Sequence, residues 1–376
     1  MSIILSHSTA RAVYQTFKTP PLPEEPTIDV RSIGRTRPKT ADIYEATLLL
    51  KRWKADCADL ECCIFSRTQG TPSPNQKATV HYCVMEPEHS DIIHLDCNVY
   101  IVGIEMCALQ AARSLDFLEL VEYYYEICGS YSLDQGVSNY IERPALTSTV
   151  KLKRFLLRAK SNGLTGSRDA LCALSYVRDG CRSPMETAFS ILLVVPKRYG
   201  GLGIRGYQTN YEITVSENAR MLTRRMKFFL DGYLESSKTD IEYNGFYHES
   251  DDVAAIDEER RLALASMGYG IIIVSRHTFF DAAAFRRIMT AIQRRQKITP
   301  SKLPAGFSSK QDELRRFVLR RYIEESKTDE TRMGDGQHQG HLACDEISDF
   351  EAAASSDMQI DTFIEPEGTT FGALTT

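Results

Sequence analysis

The chain is expected to fold as an α/β protein. A mixed sheet flanked by helices occupies its second half, joined to a smaller α+β domain and followed by a disordered acidic tail. Three observations lead there. Between residues 184 and 296 the apolar periodicity switches between helix-like and strand-like, in the order helix, strands, helix, strand, helix. Before residue 145, short apolar runs broken by polar turns lead into two helical stretches. From Asp329 onward eleven acidic residues face a single base, Arg332. Such a segment has too little apolar content to offset the entropy of ordering. The expected domains are 1–145, 146–327 and 328–376.

Residues 9–17 form the first helix candidate. Residues 19–40 hold five prolines and little periodicity, which marks an extended connection. A helical pattern at 41–53 places Ile43, Thr47, Leu48 and Leu50. Strands follow at 62–65, 78–84, 91–95 and 99–102. Helices come next at 105–114 and 116–128, with Asp116 as N-cap and Gly129 at the C-cap.

In the second half, 149–160 is helical, with Leu152, Phe155 and Leu156 on one face and basic residues on much of the rest. A short helix spans 169–176. Ser183-Pro184-Met185-Glu186 then announces another, with Ser183 as N-cap, Pro184 in the first turn and Glu186 completing a capping box. That helix stops at Pro196. A Gly-rich loop, 197–210, leads to strands at 211–215 and 226–230. A helix is expected over 252–267, closed by Gly268, then a buried strand over 269–274 and a helix over 280–296. The last helix, 308–326, turns Leu314, Phe317, Val318 and Tyr322 inward and Arg315, Arg316, Arg320 and Arg321 largely outward.

The chemistry concentrates between 228 and 274. Asp231 and Glu242 have ten residues between them, in two strand-like runs separated by turn-like 235–238. That spacing describes a hairpin with a carboxylate on each of two neighbouring strands. Two fixed carboxylates suit Mg²⁺, which takes one or two such ligands together with substrate phosphate. Each residue also has a simpler reading. Asp231 before Gly232 suits a turn. Glu242, between Ile241 and Tyr243, suits a solvent-facing strand position. Asn244-Gly245 suits a tight turn, and His248 a surface loop. Arg260 suits a pair with Asp257 one turn earlier, and Glu186 is accounted for by its own cap. The Gly200-Gly201-x-Gly203 run is no P-loop, because no Gly-Lys-Ser/Thr follows.

Taken together, Asp231, Ile241-Glu242-Tyr243-Asn244-Gly245, His248, Asp257-x-x-Arg260, Leu264, Gly268 and Ile271 to Val274 resemble the PD-(D/E)xK nuclease superfamily. The branch most similar is that of very-short-patch-repair endonucleases. The resemblance covers roughly a third of the chain. It implies a restriction-endonuclease-like fold and a Mg²⁺- or Mn²⁺-dependent endonuclease acting on DNA. It assigns Asp231, Glu242, Asn244 and His248 to catalysis, Asp231 and Glu242 to the metal with Glu186 in support, and Arg260 to a phosphate. Asn244 stands where the superfamily's namesake carries Lys; Lys238 and Lys197 are the candidate replacements. The outward Arg316 and Arg320 are expected to hold the DNA backbone by charge. In the first half, LSHSTA and the 102–132 region, with Glu126-Ile127-Cys128-Gly129-Ser130-Tyr131, are similar to segments of AbiEi-type antitoxins and related actinobacterial proteins. That similarity keeps a second expectation open, a non-catalytic DNA-binding regulator.

The net charge of −5 hides an asymmetry. Without the segment from Asp329 onward, 44 basic and 39 acidic residues remain, a mildly basic body that permits nucleic-acid binding. No apolar run is long enough to span a bilayer, and the start of the chain lacks a basic n-region. The ten cysteines contain no C-x-x-C pair, so a cytoplasmic, reduced protein is expected. The set Cys57, Cys62, Cys63, His81, Cys83, His94 and Cys97 fits no common zinc spacing and reads as thiols of a β-rich core.

Overall fold

Two mixed sheets organise the molecule. The computed structural model describes residues 2–19, 32–55, 57, 59–66, 73–75, 78–133, 140–244 and 251–333; the side chains of 73–75, 244, 251–255 and 323–333 lie outside that description. The chain divides into the units Met1–Ser326 and Lys327–Thr376, and both sheets belong to the first.

The first sheet comprises β1 (Ile3–Leu5), β2 (Glu61–Phe65), β3 (Ser73–Asn75), β4 (Ala78–Cys83), β5 (Ile92–Asp96) and β6 (Val99–Val102), in the order β3-β4-β2-β1-β6-β5. β1 runs parallel to β6 and β2 parallel to β4, and the other pairs are antiparallel. The helices of this half are α1 (His7–Thr16), α2 (Thr40–Trp53), α3 (Ile104–Ala111) and α4 (Phe117–Cys128). Asp116 caps α4 as expected: its Oδ1 accepts the Glu119 N–H at 2.9 Å, and Glu119 accepts the Asp116 N–H at 3.0 Å. Gly129 is needed for a different reason than a left-handed cap. Its φ is −94°, but a Cβ there would lie 2.8 Å from the carbonyl oxygens of Cys181 and Tyr125.

A small ladder, β7 (Tyr131–Leu133) with β8 (Tyr140–Glu142), leads into α5 (Thr149–Ser161), α6 (Ser167–Leu174) and α7 (Pro184–Val194). The second sheet is β9 (Tyr207–Thr214), β10 (Lys227–Leu234), β11 (Thr239–Asn244) and β12 (Gly270–Ser275), in the order β12-β11-β10-β9. β9, β10 and β11 are antiparallel neighbours, and β12 joins β11 in parallel after the crossover helix α8 (Asp251–Ser266). α9 (Arg276–Phe280), α10 (Ala282–Arg295) and α11 (Phe307–Met333) complete the described chain.

Both faces of this sheet are covered. Leu234, Ile241, Ile272 and Val274 join Phe189 of α7 and Phe279, Phe285, Met289 and Ile292 of α9 and α10 in the main core. Ile213, Phe228, Leu230 and Tyr233 pack with Ala263 and Leu264 of α8 in a smaller one. The protein is therefore a mixed α/β fold with helix-flanked mixed sheets. The main core runs from Ile3 to Leu319, and the Tyr131 hydroxyl bonds Thr187 Oγ1 at 2.8 Å. The expected boundary at 145/146 is thus not a break in the core.

Three differences from expectation bear on the site and on the end of the described chain. Asp231 is no turn residue; β10 continues through it to Leu234. The helix expected over 280–296 is interrupted at Asp281, whose carboxylate caps α10 by accepting the Ala284 N–H at 2.6 Å. Disorder expected from 328 does not hold for its first residues, since the α11 backbone runs on to Met333, a stretch rich in helix formers such as Glu and Lys. Residues 334–376 lie outside the described chain.

Candidate active site at the centre of the second sheet

Three elements bring carboxylates together. β10 and β11 pair Gly232 with Ile241 and Tyr233 with Asp240. The same register carries Asp231 opposite Glu242, and Asp231 Oδ2 accepts the Tyr243 N–H at 3.5 Å. Directly opposed residues of this kind have Cβ atoms about 5 Å apart. The β9–β10 ladder skips Asp231 and its would-be partner Asn210, and Asn210 takes a left-handed φ of 49°, which Asn tolerates better than most residues. Phe228 and Leu230 on one side of this break share the smaller core with Tyr233 on the other. The strand's alternation therefore slips between Leu230 and Tyr233, while the pairing register with β9 is the same on both sides of the break.

α7 supplies the third carboxylate. Ser183 Oγ accepts the Glu186 N–H at 3.2 Å, so the expected cap is present. The return bond goes one residue further out: Glu186 Oε2 accepts the Arg182 N–H at 2.8 Å, and Oε1 accepts the Ser183 hydroxyl at 3.0 Å. Capping does not remove Glu186 from the acid cluster. Burial and then the Asp231 charge push its pKa up to about 7. Asp231 is itself raised, by burial and then by Glu242.

A fourth carboxylate, Asp240, escaped the sequence reading. It is fully buried, and burial followed by repulsion from Glu242 pushes its pKa up to about 8. Its Oδ1 has no hydrogen-bond partner among the described residues. Strand alternation was the available signal, because Asp240 and Glu242 are two apart and share a face.

Arg260 of α8 answers this charge. Its Nη2 lies 2.6 Å from Glu242 Oε1 and 3.2 Å from Asp240 Oδ2, and donates to the Phe229 carbonyl at 2.9 Å. The guanidinium also sits 5.5 Å from the Phe228 ring centroid. In this arrangement Arg260 faces the acids, neither pairing with Asp257 nor lying free for a phosphate. Among the described residues no three His, Cys, Asp or Glu side chains stand in a metal-holding arrangement; the Arg260 guanidinium pairs with Glu242 and Asp240 instead. Arg182, exposed at the start of α7, lowers the pKa of both Glu186 and Asp231 and is a second cation that the sequence did not single out.

Other expected site residues fall elsewhere. Asn244 ends β11 opposite Ser275, but its side chain is not described, and His248 lies outside the described residues. Lys238 sits in the β10–β11 turn, four residues from Glu242 along the strand, roughly 13 Å away. Lys197 donates to the Lys302 carbonyl at 2.9 Å. Neither lysine stands beside the acids.

Of the two outward arginines, Arg316 is exposed. Arg320 is a correction. Its guanidinium grips Glu122 of α4 through both nitrogens, Nη1 at 2.9 Å, and lies 4.0 Å from the Phe317 ring centroid. A glutamate more than a hundred residues distant in sequence was not readable as its partner. Arg320→Ala is accordingly expected to cost roughly 1–3 kcal/mol through loss of a charge-assisted bidentate pair. Its DNA affinity should stay at the wild-type value. Denaturant melts and DNA titrations check the two halves of that expectation.

In the first sheet, His81 Nε2 bonds Glu61 Oε1 at 2.9 Å, and its ring stacks on His7 with centroids 3.6 Å apart. Cys62 and Cys63 are buried and Cys97 is exposed. Among the described residues no helix is long and apolar enough to cross a membrane. Comparison of the chain with protein-family models, curated proteins and solved structures finds no match.

Proposed function

We propose that this chain is a metal-dependent endonuclease on a restriction-endonuclease-like sheet, cutting phosphodiester bonds in DNA. The observation that carries this reading is the convergence of Glu186, Asp231 and Glu242 from α7, β10 and β11, with Asp240 beneath them. Such clusters are costly unless a cation intervenes, and perturbed carboxylates gather at functional sites. In chemical type the donors suit Mg²⁺ or Mn²⁺, since all are oxygens and buried Asp240 Oδ1 lacks a partner, but they stand in no metal-holding arrangement while Arg260 pairs with Glu242 and Asp240. Asp231 and Glu242 would hold the ion, with Glu186 in support.

A bound divalent ion supplies Lewis-acid polarisation of the phosphate and a lowered pKa for water. The remaining work falls to this chain's own groups. Glu186, held by the Arg182 N–H and the Ser183 hydroxyl, would help to orient the attacking water beside Asp231. Arg260, exchanged out of its pairs with Glu242 and Asp240, turns to the phosphate. Arg182 adds positive charge at the mouth of the site.

Incubation of labelled DNA substrates with Mg²⁺, Mn²⁺ or EDTA tests the reading. Cleavage is expected with either metal, none with EDTA, and none from Asp231→Asn or Glu242→Gln. A second reading, a DNA-binding regulator without catalysis, is favoured by Asn244 in the lysine position and by the pairing of Arg260 with Glu242 and Asp240. Binding without cleavage under every condition selects it.

A further inference from the structure

The connection between β9 and β10 carries an exposed surface that the acid cluster does not use. Its frame is fixed. The Val215 N–H donates to the Met226 carbonyl at 2.9 Å, and the Leu222 N–H to the Ala219 carbonyl at 2.9 Å. Ala219 is fully buried in the smaller core beside Ala263 and Leu264. On this frame Met221 is 89% exposed, Met226 54%, Phe229 50% and Leu222 40%. These four belong to twelve large apolar side chains found exposed among the described residues, so a third of them fall within nine positions. Exposed apolar side chains grouped on one patch are a feature of interaction sites.

The same loop is cationic. Arg220, Arg224, Arg225 and Lys227 stand against one acid, Glu217. Lys227 pairs with Glu212 at 2.5 Å; the three arginines have no ion pair among the described residues. Unpaired arginines interleaved with Met, Leu and Phe match the chemistry of a duplex. Arginines meet phosphates, and apolar wedges press between base steps from the minor groove. β10 leads from this loop toward the acid cluster, running from Lys227 through Phe229 to Asp231. From Met226 to Asp231 is five residues, about 17 Å, or about five base-pair rises of DNA.

We infer that the β9–β10 loop is a duplex-DNA docking surface, in which Arg220, Arg224 and Arg225 hold phosphates and Met221 wedges against a base step. The choice of DNA as ligand rests on the proposed function; the docking surface itself does not require cleavage.

Fluorescence anisotropy of a labelled duplex in EDTA reads binding without hydrolysis. Arg224→Ala/Arg225→Ala should weaken binding at moderate salt and lower the log–log salt slope by about 1.8, the value for two phosphate contacts. Met221→Ala should leave that slope unchanged and reduce the fluorescence change of a 2-aminopurine placed at the contacted step. Unchanged thermal midpoints of these exposed-site variants certify folding. Wild-type affinity and slope in the arginine variant, with wild type binding DNA, overturn the docking surface and leave the nuclease reading standing. Loss of binding in the variant without cleavage by wild type supports the surface and sinks the nuclease reading. Wild type that sediments with anionic phosphatidylserine vesicles but binds no duplex overturns the inference in favour of a membrane contact.

Discussion

Arg260→Ala is expected to lose about 3–5 kcal/mol of stability, because it takes the cation away from the largely buried Glu242 carboxylate. Asp240 is fully buried and Glu242 nearly so, with 14% of its side chain exposed. Arg260 is the cation that touches both. If a divalent ion uses the same carboxylates, guanidinium and metal compete for them. Mn²⁺ should therefore raise the melting temperature of Arg260→Ala more than that of wild type, since only wild type must give up an existing pair to bind it. Arg260→Lys keeps a charge without the fork and should fall between the two. Equal losses with and without Mn²⁺ would mean that Arg260 merely braces the sheet.

The second large effect is on pH dependence in metal-free protein. Asp240 has its folded pKa raised to about 8 and Glu186 to about 7, both far above their unfolded values. A raised carboxyl stabilises the fold below its unfolded pKa, and that contribution is lost as pH rises through the folded pKa. The unfolded chain releases its proton first, so stability falls with rising pH by up to about 1.4 kcal/mol per unit for each group. Two groups work in the opposite direction. Glu61 is lowered to about 2, which acts only under ordinary carboxyl pKa values. His7 is lowered to about 3, so its contribution falls away as pH drops from about 6.5 toward 3. Between about pH 6.5 and 8 Asp240 should dominate. Asp240→Asn should flatten the slope there in EDTA and be more stable than wild type at the upper end. Parallel stability curves for the two proteins would place the Asp240 proton elsewhere.

Much of the site was legible before any coordinates. Ser183, Pro184 and Glu186 fixed the start of α7, because cap and dipole preferences are local. The hairpin carrying Asp231 and Glu242, the Asp257-x-x-Arg260 helix and the strand at 271–274 came from periodicity and turn residues. What stayed hidden depends on direction across elements. From the sequence, Arg260 suits a pair with Asp257 on its own helix or a phosphate. Nothing local says that α8 lays it over Asp240 and Glu242. Asp240 stands beside a turn, although alternation puts it on the face of Glu242. The slip between Leu230 and Tyr233 accompanies a left-handed Asn210, twenty-one residues before Asp231. The first sheet was harder still, since β1 pairs with β6 across nearly a hundred residues.

Calorimetric titration of Mn²⁺ into the metal-free protein near pH 8 addresses the central claim most directly. The expected result is a single site in wild type, with proton release from the raised carboxyls appearing as a buffer-dependent heat. Asp231→Asn and Glu242→Gln should each lose affinity by about tenfold or more, at least about 1.4 kcal/mol, and Glu186→Gln less. Absence of binding to folded wild type, or equal binding by the Asp231 and Glu242 variants, would contradict the assignment of these carboxylates to a metal.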